Sequence, residues 1–328
     1  MTVIVNAICC GMITQVVDRQ ISRQARQNGT VDVVDPDSTK VCVVLCGNAL
    51  LSIAYTGVAV ADQTWMDSII AGCLAHRDLA NAMMQPGAPL LSRPVHMVVP
   101  ELGHNLNWRL NSDKRARGLD LRVSIVGWHL GRAIRPLAWE LRRGPPEPNG
   151  MRYFNVIRHP VGKFLRQYPQ ALWIDSLGDP GSTVDDRLRA LNQVDGFDRD
   201  DLERYIAEAI ASRAAETQVV GAACLAVQLH PRDSDGHAQF TYYPEANSGD
   251  DDAATFLTGW VLTPRLIASP GTESTFGSTI SACGRYAIGG FSDQGSELYV
   301  RTRLPASVVH HGGPRVMAYG TQRRAVPK

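Results

Sequence analysis

The chain commits its first residues to a β-sheet. Residues 2–8 and 12–18 are two runs rich in Val, Ile and Thr, joined through Gly11, and each reads as a strand. A fold that begins this way holds its N-terminus inside a sheet, where neighbouring strands can bring side chains to it. The next runs extend the pattern. Val41 to Cys46 and Ala49 to Tyr55 flank Gly47-Asn48, which is hairpin spacing. A polar stretch from Gln20 to Thr39, with turn signals at Asn28-Gly29 and Asp35-Pro36, separates the two strand pairs.

Helical spacing takes over next. Trp65, Ile69 and Cys73 recur every four residues beside Met66, Ile70 and Leu74, which predicts a helix capped by Asp62 and running to about Met84. A Pro-rich connection, Gln85 to Pro100, leads to a shorter helical pattern near His104–Asn111. Strand signals resume at Leu119–Trp128, Ala133–Leu141 and, after a turn loop at Gly144–Gly150, Met151–Ile157. Two helices follow, capped by Thr183 and Asp198. The almost wholly apolar run Val219–Leu229 reads as a central strand covered on both faces. Beyond the acidic Asp250-Asp251-Asp252, strand signals recur at Tyr286–Phe291 and Glu297–Arg303. Segregated runs of strands and helices predict α+β layers rather than a βαβ alternation.

Composition closes off several classes. With 328 residues, 44% of them hydrophobic and 20% charged, the chain can bury a sizeable core. A formal net charge of +1 gives no global field toward nucleic acid or an anionic membrane, and aromatic residues do not interleave with basic runs. No apolar run reaches membrane-spanning length, and the apolar start lacks the basic flank of a signal peptide. Seven cysteines, an odd number mostly in apolar segments, point to buried reduced thiols and a cytoplasmic protein. Cys42 and Cys46 have no second pair at zinc spacing, and His310-His311 has no third ligand, so neither a metal nor an organic cofactor is expected. Cys9-Cys10 lies inside a strand, Gly289-Gly290-Phe291-Ser292-Asp293 lacks the full nucleophile-elbow pattern, and Gly312-Gly313-Pro314 lacks the Lys-Ser/Thr of a phosphate loop.

Chemistry concentrates at the start. Removal of Met1 would leave Thr2 with a hydroxyl nucleophile and a free α-amine on one Cα. Such an amine titrates near pH 8, close enough to neutrality to serve as a general base. Asp18 ends the second predicted strand, Lys40 begins the third, and Gly57 follows the fourth in Tyr55-Thr56-Gly57. If the four strands are neighbours, these residues converge on Thr2.

This pattern resembles the N-terminal nucleophile (Ntn) hydrolases, specifically proteasome β-subunits and the HslV peptidase. The resemblance rests on Thr2 followed sixteen positions later by Asp18, on Lys40 opening the next strand, and on Gly57 ahead of a helix. It extends more weakly, in order of elements, through Ser124–Trp128, Leu172–Gly178 and Gln218–Leu229. It implies a four-layer αββα sandwich of antiparallel sheets flanked by helices over residues 1–245, with residues 246–328 as a C-terminal extension of unknown role. It also implies a threonine-type hydrolase of a peptide or small amide. Thr2 would be nucleophile and base, and Lys40 and Asp18 would tune it. Gly57 would supply the oxyanion-hole N–H, and Ile21, Ser22, Tyr55 and Ala59 would line the substrate groove. Ser176 and Asp179 are the candidates for accessory positions, while Val220-Gly221-Ala222 lacks the hydroxyl that the family carries before its late strand. The Asp18–Lys40 interval is several residues longer than in the proteasome. Homo-oligomeric assembly is implied, with no nucleic-acid or membrane partner. The alternative is a catalytically silent Ntn-fold protein acting in assembly or binding.

Overall fold

The computed structural model describes residues 2–24, 31–35, 38, 40–61, 63–75, 93–191, 201–232 and 235–243, and strand segments within 260–303. Two sheets stack face to face. One contains β1 (Val3–Cys9), β2 (Met12–Asp18), β12 (Trp173–Gly178), β13 (Cys224–Arg232) and β14 (Asp235–Tyr243), in the order β12-β1-β2-β13-β14. The other contains β5 (Val41–Cys46), β6 (Ala49–Gly57), β9 (Leu121–Leu130), β10 (Ile134–Arg143) and β11 (Phe154–Arg158), in the order β11-β10-β9-β6-β5. Two small hairpins stand apart: β3 (Ile21–Gln24) with β4 (Val31–Asp35), and β7 (Val60–Ala61) with β8 (Thr64–Trp65).

The period-2 alternation of the strands decides which side chain meets which layer. From β1, Ile4 and Ile8 join Ile13, Val43, Leu50, Val126 and Phe240 in the core between the sheets. Val3, Val5 and Ala7 turn the other way, against helices α4 (Gly181–Leu191) and α5 (Leu202–Glu216). On the far sheet, Val44, Leu51 and Ile53 pack beneath α1 (Met66–Ala75) and α2 (Val95–Ser112). The result is four layers, α4/α5, sheet, sheet, α1/α2. A short helix, α3 (Val161–Gln167), plugs one end of the inter-sheet core with Val161 and Leu165.

Both strand hairpins at the start, 3–9 with 12–18 and 41–46 with 49–57, form as the sequence predicts. Four expectations change. The helix read at His104–Asn111 begins at Val95 and runs 18 residues, because Val95, Val98, Val99, Leu102, Leu106 and Leu110 keep one buried face that outweighs the missing N–H of Pro100. Thr183 does not cap its helix but lies inside it, bonded to the Glu216 carboxylate. The late central strand starts at Cys224 instead of Val219, since residues 219–223 turn over the end of β2. Short β11 starts at Phe154. Asp62, Met84 and Asp198 lie outside the described residues.

The strands beyond residue 245 extend both sheets. β15 (Trp260–Leu262) pairs with β5 and β19 (Ser296–Arg303) pairs with β14, and both pairings are parallel within otherwise antiparallel sheets. β16 (Ile267–Ala268), β17 (Ile280–Cys283) and β18 (Tyr286–Asp293) continue from them.

Candidate active site at the N-terminal strand

Thr2 sits where both sheets end. It precedes β1, whose neighbours β2 and β12 flank it in the same sheet, and β5 and β6 reach it from the facing one. It is 5% exposed, and Asp18 and Lys40 are as enclosed, at 0% and 3%.

Three charged or polar groups meet there. The Lys40 ammonium donates to Thr2 Oγ1 at 2.7 Å, to Asp18 Oδ2 at 3.3 Å and to the Gln20 carbonyl at 2.5 Å. A lysine at the mouth of β5 can do this because the chain leaves β2 at Asp18 and turns back at Gln20 beside it. The longer Asp18–Lys40 interval is taken up by the β3–β4 hairpin, which leaves the site after Gln20. Asp18 also accepts from the Val3 N–H at 2.7 Å and from the Gly221 N–H at 3.3 Å. Burial pushes the Asp18 carboxyl above its ordinary range, opposed by the Lys40 charge and the two amides. A buried ion pair survives only when its remaining hydrogen-bond capacity is also filled, and here backbone amides fill it.

The Thr2 backbone is clamped as well. Its carbonyl accepts from the Asp179 N–H at 3.2 Å and from Thr56 Oγ1 at 3.3 Å. Gly178, at φ +95°, passes so close that a Cβ there would lie 1.6 Å from the Thr2 oxygen. Only glycine permits that approach. Gly178 and Thr56 were not singled out from sequence; the signal available was the Thr56-Gly57 step itself and a glycine closing the β12 run.

The remaining candidates separate into those at Thr2 and those elsewhere. Gly57 ends β6 at φ +108°, one residue from Thr56, and its missing Cβ admits the Asp120 carbonyl, which a Cβ would meet at 2.2 Å. Ile21, 6% exposed, and Ser22 leave the site just past Gln20, with Ser22 Oγ donating to the Val219 carbonyl at 3.1 Å. Ala59 lies two residues past Gly57 and its carbonyl accepts from Met66, the first residue of α1. Tyr55 points the other way from Thr56. It is 2% exposed in the core beneath α1 and α2, and its N–H donates to the Lys40 carbonyl at 3.2 Å. Ser176 pairs with Val5 in register and donates to Asp185 at 3.1 Å, on the face that β1 turns toward α4 and not beside Thr2. Asp179 contributes its N–H to Thr2, while its carboxylate pairs with Arg213 at 3.0 Å.

Among the described residues, burial raises the thiol nearest the site, Cys224, which pairs with Asp18 in register. Burial pushes the Cys46 and Cys73 thiols up to about 12, and Cys9 and Cys10 lie at the opposite end of β1. Among the described residues no group of three metal-ligating side chains gathers, and no helix is long and apolar enough to cross a membrane.

Deeper in the sandwich lies a buried polar layer that the sequence reading did not anticipate. Asn6 donates to Ser124 at 2.9 Å, Gln15 to Asn6 at 2.8 Å, and Ser52 to Gln15 at 2.7 Å. Next to it Glu140 is held by Arg122 at 2.6 Å and Arg142 at 2.8 Å.

No protein-family model matches the chain, and no curated protein sequence matches it. Among solved structures it is similar to an Anbu (Gly-1) mutant from Hyphomicrobium sp. strain MC1, at 13% identity over 71% of this chain and 83% of that one, with a TM-score of 0.48. It is similar to Anbu (ancestral beta-subunit) from Yersinia bercovieri, at 12% identity over 71% and 83%, TM-score 0.46. It is also similar to HslV from Trypanosoma brucei, at 14% identity over 70% and 99%, TM-score 0.38. The two facing sheets, the helix pair on each outer face and the N-terminal strand between β2 and β12 make this chain a four-layer αββα sandwich.

Proposed function

We propose that the protein is a threonine-type hydrolase of a peptide or small amide, with Thr2 as nucleophile once its α-amine is free. One observation carries the reading: the Lys40 ammonium lies 2.7 Å from Thr2 Oγ1, inside a buried pocket. Lys40 donates to this oxygen, so the hydroxyl proton is left to point elsewhere. A positive charge at that distance favours the alkoxide, and the low local dielectric magnifies the effect. The α-amine of Thr2, directly or through a water, accepts the hydroxyl proton as Oγ attacks the carbonyl carbon. The tetrahedral oxyanion then takes a hydrogen bond from the Gly57 N–H, and collapse returns the proton to the departing amine. Water repeats the sequence on the acyl-threonine. Asp18 holds Lys40 through its Oδ2 and β1 through the Val3 amide, so it positions the nucleophile. Ile21, Ser22 and Ala59 border the approach to Thr2 in this reading, and Asp179 is an accessory group through its backbone N–H.

Homo-oligomeric assembly belongs to the same proposal, with the helices as contact surfaces. Met97 and Trp108 on α2 are 40% and 67% exposed, and their spacing places them on one face of that helix.

The test is the intact mass of the purified protein before and after a β-lactone that acylates N-terminal threonines. Loss of one methionine plus a single adduct, absent in Thr2→Ala, supports the mechanism. A protein that has lost Met1, hydrolyses its substrate and keeps full turnover as Thr2→Ala sinks it.

A further inference from the structure

At the end of the sandwich opposite Thr2, a half-open cavity of about 760 Å³ lies between the β1–β2 turn, the start of β10 and α3. Seven residues of β1 at about 3.3 Å each put it some 20–25 Å from the nucleophile. Its volume is within the range of small-ligand pockets, roughly 300–1,000 Å³. The floor is apolar, with Trp128 and Leu165 of the inter-sheet core among its lining residues. Arg135, Arg158, Lys163 and Arg166 also line it, and none of the four forms an ion pair with a described residue. No described carboxylate lines it.

Arginines at 122, 142, 152, 189, 204 and 213, by comparison, are each paired with a carboxylate. Lys163 and Arg166 are also i,i+3 neighbours on α3, a like-charged pair that repels instead of supporting its helix. Arg135 and Arg158 approach from adjacent strands, β10 and β11. Four cations around an apolar concavity make a site for an anion whose body is hydrophobic. The charges supply orientation, and the floor supplies burial.

We propose that this cavity binds a small amphiphilic anion, an aromatic or medium-chain carboxylate or phosphate monoester, at a site separate from Thr2. The anionic head lies among the Arg135, Arg158, Lys163 and Arg166 side chains, and the apolar body covers Trp128 and Leu165. The proposal does not depend on the hydrolase reading.

The experiment uses the full chain and 2-naphthyl phosphate, followed by calorimetry and by quenching of tryptophan fluorescence, with 2-naphthol and inorganic phosphate as separate ligands. The expected result is saturable binding with one site per chain, at least tenfold tighter than either control, and weaker as salt is raised. Arg135→Ser/Arg158→Ser should weaken it at least tenfold while leaving the thermal midpoint and Thr2 acylation unchanged. Equal affinity for naphthol assigns the cavity to apolar ligands only and overturns the proposal. Equal affinity of the double variant overturns it too, as does no saturable binding to folded protein at millimolar ligand.

Discussion

The two ends of the sandwich handle charge in opposite ways. At the Thr2 end, Lys40 and Asp18 are almost fully enclosed, and each meets several partners from β1, β2 and the 219–223 turn. At the other end, four cations surround a cavity and pair with no described carboxylate. The difference follows from solvation. A charge taken out of water must be repaid by partners in fixed positions, whereas a half-exposed charge keeps its water until a ligand displaces it. In the proposed readings, the buried end is organised before a substrate arrives and the open end would be organised by the ligand it takes.

The strongest way to break this comparison is Lys40→Met. It strands the Asp18 carboxylate in the interior, and the expected cost is about 3–5 kcal/mol in denaturant unfolding, together with loss of Thr2 acylation. Lys40→Met/Asp18→Asn should recover most of the stability but none of the acylation. A single variant as stable as the parent would mean the pair is not the enclosed unit described here. Gly178→Ala comes next. The new methyl would occupy the space of the Thr2 carbonyl, so β12 must shift, at about 1–3 kcal/mol, and the Asp179–Thr2 bond must lengthen. A lowered melting temperature with slowed acylation is the expected pair of readings, and an unchanged acylation rate would show that this clamp does not position Thr2.

A smaller effect tests the ground between the two ends. Burial pushes the Glu140 carboxyl up, but hydrogen bonds and charge from Arg142 and Arg122 outweigh it, so the group lies below its ordinary value of 4.5. Its folded form holds fewer protons than its unfolded form, so it adds stability above pH 4.5 that disappears as pH falls through the folded value. Unfolding followed from pH 7 to pH 3 should show Glu140→Gln with a flatter acid limb than the parent. Superimposable limbs would remove Glu140 from the account. The smallest effect belongs to the open end: Arg158→Ser should change stability by no more than about 0.5 kcal/mol, measured by chemical denaturation.

How much of this was legible depended on whether the information was local. The first two hairpins were readable because alternation, β-branched residues and Gly turns all agree within a few positions. The approach of Asp18 and Lys40 to Thr2 was expected from the resemblance and from strands assumed to be neighbours; Lys40 in fact reaches Thr2 from the facing sheet. Which face Tyr55 takes was not legible, because a period of two leaves open which face of a strand is the inner one, and the register with β9 sets it. Helix α2 was read short because Pro100 was counted into the Pro-rich connection before it, although its neighbours at 95, 98, 99 and 102 are buried on one face. The Asn6–Gln15–Ser52–Ser124 layer was invisible because its members come from four strands in two sheets and share no sequence spacing. The cationic cavity was hidden for the same reason: a net charge of +1 says nothing about where cations gather.

The turn at 219–223 has a temporal consequence. Thr2 and Asp18 are made well before the groups that complete their surroundings: the Gly221 amide that donates to Asp18 and the Ala223 carbonyl that receives Arg19 come some two hundred residues later. At about 5–20 residues per second, on the order of 10–40 s of synthesis separates Asp18 from those groups. During that interval Asp18 lacks a donor, β2 has no β13 beside it, and the pocket around Thr2 is incomplete. In the proposed reading, the growing chain carries Thr2 in an unassembled form until the late strand β13 completes its surroundings.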